Sequence, residues 1–113
     1  MRIESYSFGR ITVDGRSYAS DLIIYPHKVD ASWWRQEGHR LQVADLKDVL
    51  EDPPEVLVVG TGASGVMKVA PEVESKAAEV GMRLVVRRTY EACDEYNRLA
   101  GEHKTVACLH LTC

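Results

Sequence analysis

The chain has 113 residues, 45% of them hydrophobic and 27% charged, which suits one folded domain with one core and excludes a disordered chain. Its formal net charge is −3 and its pI about 5.8, so it lacks the basic excess of a nucleic-acid binder, and its basic residues are scattered apart from Arg87-Arg88. No apolar stretch approaches the roughly 20 residues that a membrane-spanning helix needs, so no membrane partner is expected.

The opening residues Met1-Arg2-Ile3-Glu4-Ser5 carry no long apolar segment and no secretory signal. The first quarter reads as β. Ile3 to Phe8 and Arg10 to Val13 are predicted strands, and Asp14-Gly15 between Ile11-Thr12-Val13 and Arg16-Ser17-Tyr18 predicts a hairpin with a type I′ turn. Asp21 to Tyr25 is another strand, stopped by Pro26. Residues 26 to 43 show no period and read as one long loop that holds both tryptophans. Asp45 is placed to cap a short helix with Leu46, Val49 and Leu50 on one face, ended by Pro53-Pro54.

Val56 to Val59 is an apolar run that reads as a buried strand, and it breaks into glycines at 60, 62 and 65. Pro71 opens a helix with Glu72 and Glu74 at its positive end, and Gly81 ends it. Leu84-Val85-Val86 is the next strand. Thr89 caps a helix with the stripe Ala92, Cys93, Tyr96, Leu99 and Ala100, and Gly101 closes it. Thr105 to Leu111 is the last strand. The second half therefore reads β-α-β-α-β, which favours parallel, right-handed connections. If its three strands are parallel, the glycine loop, Arg87-Arg88-Thr89 and His110 to Cys113 share the carboxyl edge of the sheet, where open α/β sheets place ligands. An antiparallel last strand would take His110 and Cys113 out of that group. The expectation is a single α/β domain over residues 1–113, with an antiparallel hairpin region first and the β-α-β-α-β half after it.

The glycine loop offers two readings. It either holds a small anion on its backbone amides, with Lys68 or Arg87 nearby, or it is a tight turn that redirects the chain. Gly60, Gly62 and Gly65 match G-x-G-x-x-G, but Val66 to Ala70 separate the third glycine from the helix, so no dinucleotide cofactor is expected. Gly-Lys-Ser/Thr is absent, so the loop is not a P-loop, and Gly62-Ala63-Ser64-Gly65 is not a nucleophile elbow. Trp33, Trp34, Arg35 and His39 form an aromatic and cationic cluster of the kind found in pockets and interfaces, with Trp34 and Arg35 favoured over Trp33 for function, set against the plainer reading of a tryptophan that lids the core.

Cys108, His110 and Thr112 alternate onto one face. His110-x-x-Cys113 is a lone half-pair, so no metal is expected. Cys113 with His39 or His110 as base is a nucleophile reading, while Cys93 and Cys108 read as core residues. An odd cysteine count without close pairs points to a reducing, cytoplasmic setting rather than a disulfide framework. No pair of acids is placed for acid/base work.

Several segments, in order, resemble the adipogenesis-associated domain family, whose relatives include a mitochondrial assembly factor for respiratory complex I. They are Trp34-Arg35 with Gly38-His39, Val43-Ala44-Asp45-Leu46-Lys47, Leu57-Val58-Val59-Gly60-Thr61-Gly62, Lys68-Val69, Glu95-Tyr96-Asn97 and His110-Leu111-Thr112-Cys113. The resemblance implies a three-layer α/β domain with a mixed central sheet, no established catalytic activity and no assigned cofactor. The expected function is a cytoplasmic binding or assembly module. Gly60, Thr61, Gly62, Gly65, Lys68, Trp34, Arg35 and His39 would form one recognition surface for a small anionic ligand or a protein partner. The alternatives are a small enzyme acting on an anionic metabolite through His39 or Cys113, and a homo-oligomer with Trp33 or Trp34 at the contact.

Overall fold

The computed structural model describes residues 1–113. Strands β1 (Ile3–Ser7), β2 (Arg10–Val13) and β3 (Arg16–Tyr18) form an antiparallel three-stranded sheet. The turn between β2 and β3 is the predicted one. Asp14 and Gly15 have φ of 47° and 79°, the two left-handed positions that a type I′ turn requires. Ile3, Ile11 and Val13 point inward from this sheet and are buried.

Strands β4 (Leu22–Ile24) and β5 (Val29–Asp30) follow, then β6 (Arg40–Leu41), a 3₁₀ turn over Val43–Leu46 and α1 (Lys47–Glu51). The second half supplies β7 (Val56–Thr61), β8 (Lys68–Val69), α2 (Pro71–Val80), β9 (Arg83–Arg87), α3 (Thr89–Ala100) and β10 (Thr105–His110). The central sheet has the order β5-β4-β10-β7-β9. β10, β7 and β9 run parallel, and β4 is antiparallel to β10, so the sheet is mixed. β6 and β8 pair in parallel as a separate two-stranded ribbon.

The sheet is covered on both faces, which is why β7 reads as an unbroken apolar run. On one face, Val56, Val58, Ala107 and Leu109 meet Ala92, Cys93, Tyr96 and Leu99 of α3, with the N-terminal hairpin sheet beside them. On the other, Leu57, Val59, Val106 and Cys108 meet Val73 and Ala77 of α2 and Leu46 and Val49 of the 3₁₀–α1 segment. The result is three layers. No helix is long and apolar enough to cross a membrane.

Three local expectations change. Residues 26 to 43 hold two two-residue strands, too short to leave a period in the sequence. Asp45 is not the cap of α1 but sits within the 3₁₀ turn that leads into it, where its carboxylate accepts the Gln42 and Gln36 backbone amides at 2.8 and 3.1 Å. Thr89 is the first residue of α3 rather than its cap, a place held by Arg88. Its hydroxyl is used elsewhere.

Candidate functional site

Because β7, β9 and β10 are parallel, their carboxyl ends meet at one edge of the sheet, and the glycine loop leaves from the middle strand. Gly60 is the last glycine inside β7. A Cβ there would come within 2.8 Å of Leu109 Cδ2 and 2.9 Å of Thr89 Oγ1, so the bare backbone lets α3 start close against the strand. Gly62 has φ of 104°, and a Cβ would lie 2.2 Å from the Cys113 carbonyl carbon and 2.9 Å from His110 Cδ2. The main chain after β10 thus lies directly on Gly62.

The hydrogen bonds of the loop follow from that contact. Ala63 N–H donates to Thr112 O at 2.7 Å, and the Ser64 and Val66 amides donate to Cys113 O at 3.2 and 3.0 Å. Gly65 N–H closes a turn onto Gly62 O, and Met67 N–H donates to Thr61 O. The Gly62 amide donates to Thr89 Oγ1 at 2.8 Å, and that hydroxyl donates onward to His110 O at 2.6 Å. The amides expected to face an anion are therefore bonded to the chain's own oxygens.

Side chains, not amides, give this edge its charge. A cleft of about 440 Å³ opens beside the loop, lined by Thr61, Ser64, Gly65 and Lys68 on one side and Arg87 and Arg88 on the other. Glu74 is the one acid in its wall. Neither Lys68, Arg87 nor Arg88 forms an ion pair; the seven pairs of the structure lie elsewhere. Arg88 lies across the loop, its Cγ and Nε 3.3 Å from where a Gly65 Cβ would be. Arg87 Nη1 donates to Val86 O at 2.9 Å.

A second polar cluster lies on the neighbouring strands. The antiparallel register of β4 and β10, which pairs Leu22 with Leu109, brings Asp21 opposite His110. His110 Nδ1 is 2.7 Å from Asp21 Oδ2, and Arg35 Nη2 is 2.8 Å from the same oxygen. The other oxygen, Oδ1, accepts the Leu111 amide at 2.8 Å. Burial alone would raise the Asp21 pKa, but the bonds from His110, the Leu111 amide and Arg35 outweigh it and hold the carboxyl down at about 2. Arg35 Nη2 also lies 3.2 Å from His110 Nδ1, so that nitrogen is held within the Asp21–Arg35 cluster, while the other ring nitrogen, Nε2, is buried and without a partner. The His39 ring stands edge-on at 5.6 Å.

Arg35 is a structural residue. Its side chain is 6% exposed, stacks over Trp33 at 4.6 Å and donates to Gly38 O, so it ties the 33–39 segment to the sheet. Trp33 itself donates from Nε1 to Asp45 O at 3.0 Å. Trp34, 74% exposed, stands over a different hollow with Ala44, Asp45 and Lys47. His39 is exposed, and its carbonyl accepts the Lys68 amide at 2.8 Å, but its ring does not line the cleft. Of the eight expected residues, Thr61, Gly65 and Lys68 share the cleft. Gly60 and Gly62 shape it from behind, and Trp34, Arg35 and His39 lie apart from it.

Ser64, Arg87 and Arg88 join the cleft without having been among those eight. The Arg87-Arg88 pair directly after a strand was the visible signal. Asp21 was legible only as a strand start, since nothing local tells that a lone acid will face a histidine 89 residues on. Cys108 and Cys93 lie in the core, where burial pushes both thiols up, Cys93 to about 12, and Cys113 is exposed.

Comparison with known proteins places this geometry. The family described as "Protein of unknown function (DUF498/DUF598)" matches residues 3–111. The conserved hypothetical protein PH1505 from Pyrococcus horikoshii OT3 is similar at 27% identity over all of both chains, with a TM-score of 0.84. The solved structure MT938 is similar at 22% identity, with a TM-score of 0.79, over 99% of this chain and 98% of that one. A Bordetella pertussis protein described as a Mth938-like domain is similar at 23% identity over 97% and 85%, with a TM-score of 0.75. The last two establish the fold alone. All agree with the resemblance to the adipogenesis-associated domain family.

Proposed function

We infer the function of this chain, which belongs to the DUF498/DUF598 family of proteins of unknown function, from its cleft: it is a binding or assembly module that holds a small oxyanion, a phosphate or a carboxylate. The observation that carries the reading is the meeting of Lys68, Arg87 and Arg88, free of ion pairs, in one cleft with a single acid in its wall. Guanidinium forks suit the paired oxygens of such anions, and a lysine adds a mobile point charge. The local charge is positive although the protein as a whole is acidic. Gly62 and Gly65 serve by letting the loop fold tightly onto residues 112–113, which leaves the cleft open above Arg88. A cytoplasmic setting goes with this reading, supported by three free cysteines.

The test is a titration of labelled protein with inorganic phosphate, read from amide NMR shifts against chloride at equal ionic strength. Saturable shifts at Ser64, Gly65 and Arg88, weakened about five- to tenfold by Arg88→Ala or Lys68→Ala, are expected for the loss of one charge-assisted contact in an open cleft. Shifts that chloride reproduces would remove the reading.

One observation favours an enzyme instead: an Asp21-oriented imidazole with a free Nε2. Neither His110 nor His39 lines the cleft, so no imidazole faces an anion held there. The binding reading therefore stands first.

A further inference from the structure

β9 is the outer strand of the central sheet, paired with β7 on one side only. The Arg83 amide donates to Glu55 O at 2.9 Å, toward β7. By alternation along the strand, the N–H and C=O groups of Leu84 and Val86 point the other way, to the open edge. Beside that edge runs a groove of about 460 Å³ between α2 and β9, floored by Ala77, Met82, Leu84 and Val86. The groove continues into the cationic cleft, for Glu74, Val86 and Arg87 line both.

We propose that this edge is a docking site for an extended, acidic peptide segment of another protein. The segment adds as a strand to β9, sets an apolar side chain between α2 and β9, and brings its carboxylates to Lys68, Arg87 and Arg88. The proposal rests on the anion reading of the cleft and names its partner. Main-chain bonds at Leu84 and Val86 supply affinity, and the groove and the cations supply selection. Arg87 is the coupling element. Its guanidinium now covers Val86 O, and an incoming peptide N–H would take that acceptor and free the fork for a carboxylate.

Charge decides the occupant. In an antiparallel pairing of β9 with its own copy, centred on Val85, Arg83 of each strand would face Arg87 of the other, and like charges directly opposite are destabilising. The two arginines therefore protect the edge against self-association while leaving it open to an acidic strand.

The experiment uses the full chain and a synthetic capped peptide of alternating valine and threonine ended by two glutamates. Its control ends in two lysines, and inorganic phosphate is titrated separately. The glutamate peptide is expected to protect the Leu84 and Val86 amides from exchange, and the lysine peptide is not. Leu84 lines the groove but not the cationic cleft, so Leu84→Pro removes an outward N–H without touching the β7 bonds, and is expected to abolish peptide binding and keep the phosphate shifts. Ala78→Glu, on the exposed flank of the groove, is expected to weaken the glutamate peptide by roughly fivefold or more without disturbing the core. Phosphate shifts without protection at Leu84 and Val86 would overturn the docking site and leave the cleft reading intact. Loss of both would overturn both. Protection that rises with protein concentration alone, with a dimer in sedimentation, would make the occupant a second copy and overturn the proposal.

Discussion

Gly62→Ala tests the central claim about the loop, that it is built around residues 112–113. At φ of 104° an alanine is strained by roughly 1–3 kcal/mol. Its Cβ would also sit 2.2 Å from the Cys113 carbonyl carbon and 2.6 Å from its oxygen. These are backbone atoms, which no side-chain rotation can move away. Relief requires the 112–113 segment to lift, and that loosens the bonds from the Ala63, Ser64 and Val66 amides, each worth about 0.5–1.5 kcal/mol net. The expected cost is about 3–5 kcal/mol, a large part of the 5–15 kcal/mol that holds a typical domain. Gly65→Ala is the internal control. Its φ is 69° and its nearest contact is the flexible Arg88 side chain at 3.3 Å, so the cost should be about 1 kcal/mol. Urea unfolding followed by tryptophan fluorescence measures both. A Gly62→Ala protein within about 1 kcal/mol of the wild type, or one no weaker than Gly65→Ala, would refute the reasoning. For the same reason a bulky residue at 62 reports on folding, not on ligand binding.

Thr89→Val should cost about 2–3 kcal/mol, because the buried hydroxyl joins the Gly62 amide to His110 O and both would lose their partner; urea midpoints decide it. Asp21 titrates at about 2 in the folded chain against 3.8 in an ordinary aspartate, so its stabilising contribution is present above pH 3.8 and disappears as the pH falls toward 2. After allowance for solvent screening, that loss is about 1–2 kcal/mol, and Asp21→Asn should flatten the acid limb of a stability profile by the same amount while weakening the protein at pH 7. An unchanged acid limb would mean that the pair with Arg35 and His110 is not formed in solution. Trp34 and Trp33 should part in iodide quenching, with the Trp34→Phe protein far less quenched than Trp33→Phe, since Trp34 is exposed and Trp33 lies beneath Arg35.

Most of the elements were legible because their signals are local. Asp14-Gly15 sets its own left-handed turn, Pro71 and Gly81 bracket α2, and the apolar run 56–59 announces a strand covered on both faces. The stripe of Ala92, Cys93, Tyr96 and Leu99 places α3 in the same way. The parallel β-α-β-α-β half follows from their order, and with it the edge where Lys68, Arg87 and the glycine loop meet.

What the tertiary structure alone decided is where polar groups find their partners. A glycine loop reads the same whether its amides face a ligand or the chain itself. Only the closeness of residues 112–113 to Gly62, fixed by the parallel register of β7 and β10, commits those amides inward. Arg35 reads as a cation of a recognition surface until the antiparallel β4 carries Asp21 to His110 and gives it a buried carboxylate. Thr89 reads as a helix cap until Gly60 lets the start of α3 press against β7, and its hydroxyl then bonds across the strands instead. Backbone propensities act over a few residues and leave their mark in the sequence. Hydrogen bonds between strands depend on register over distances of tens of residues, and that register is set only when both faces of the sheet pack.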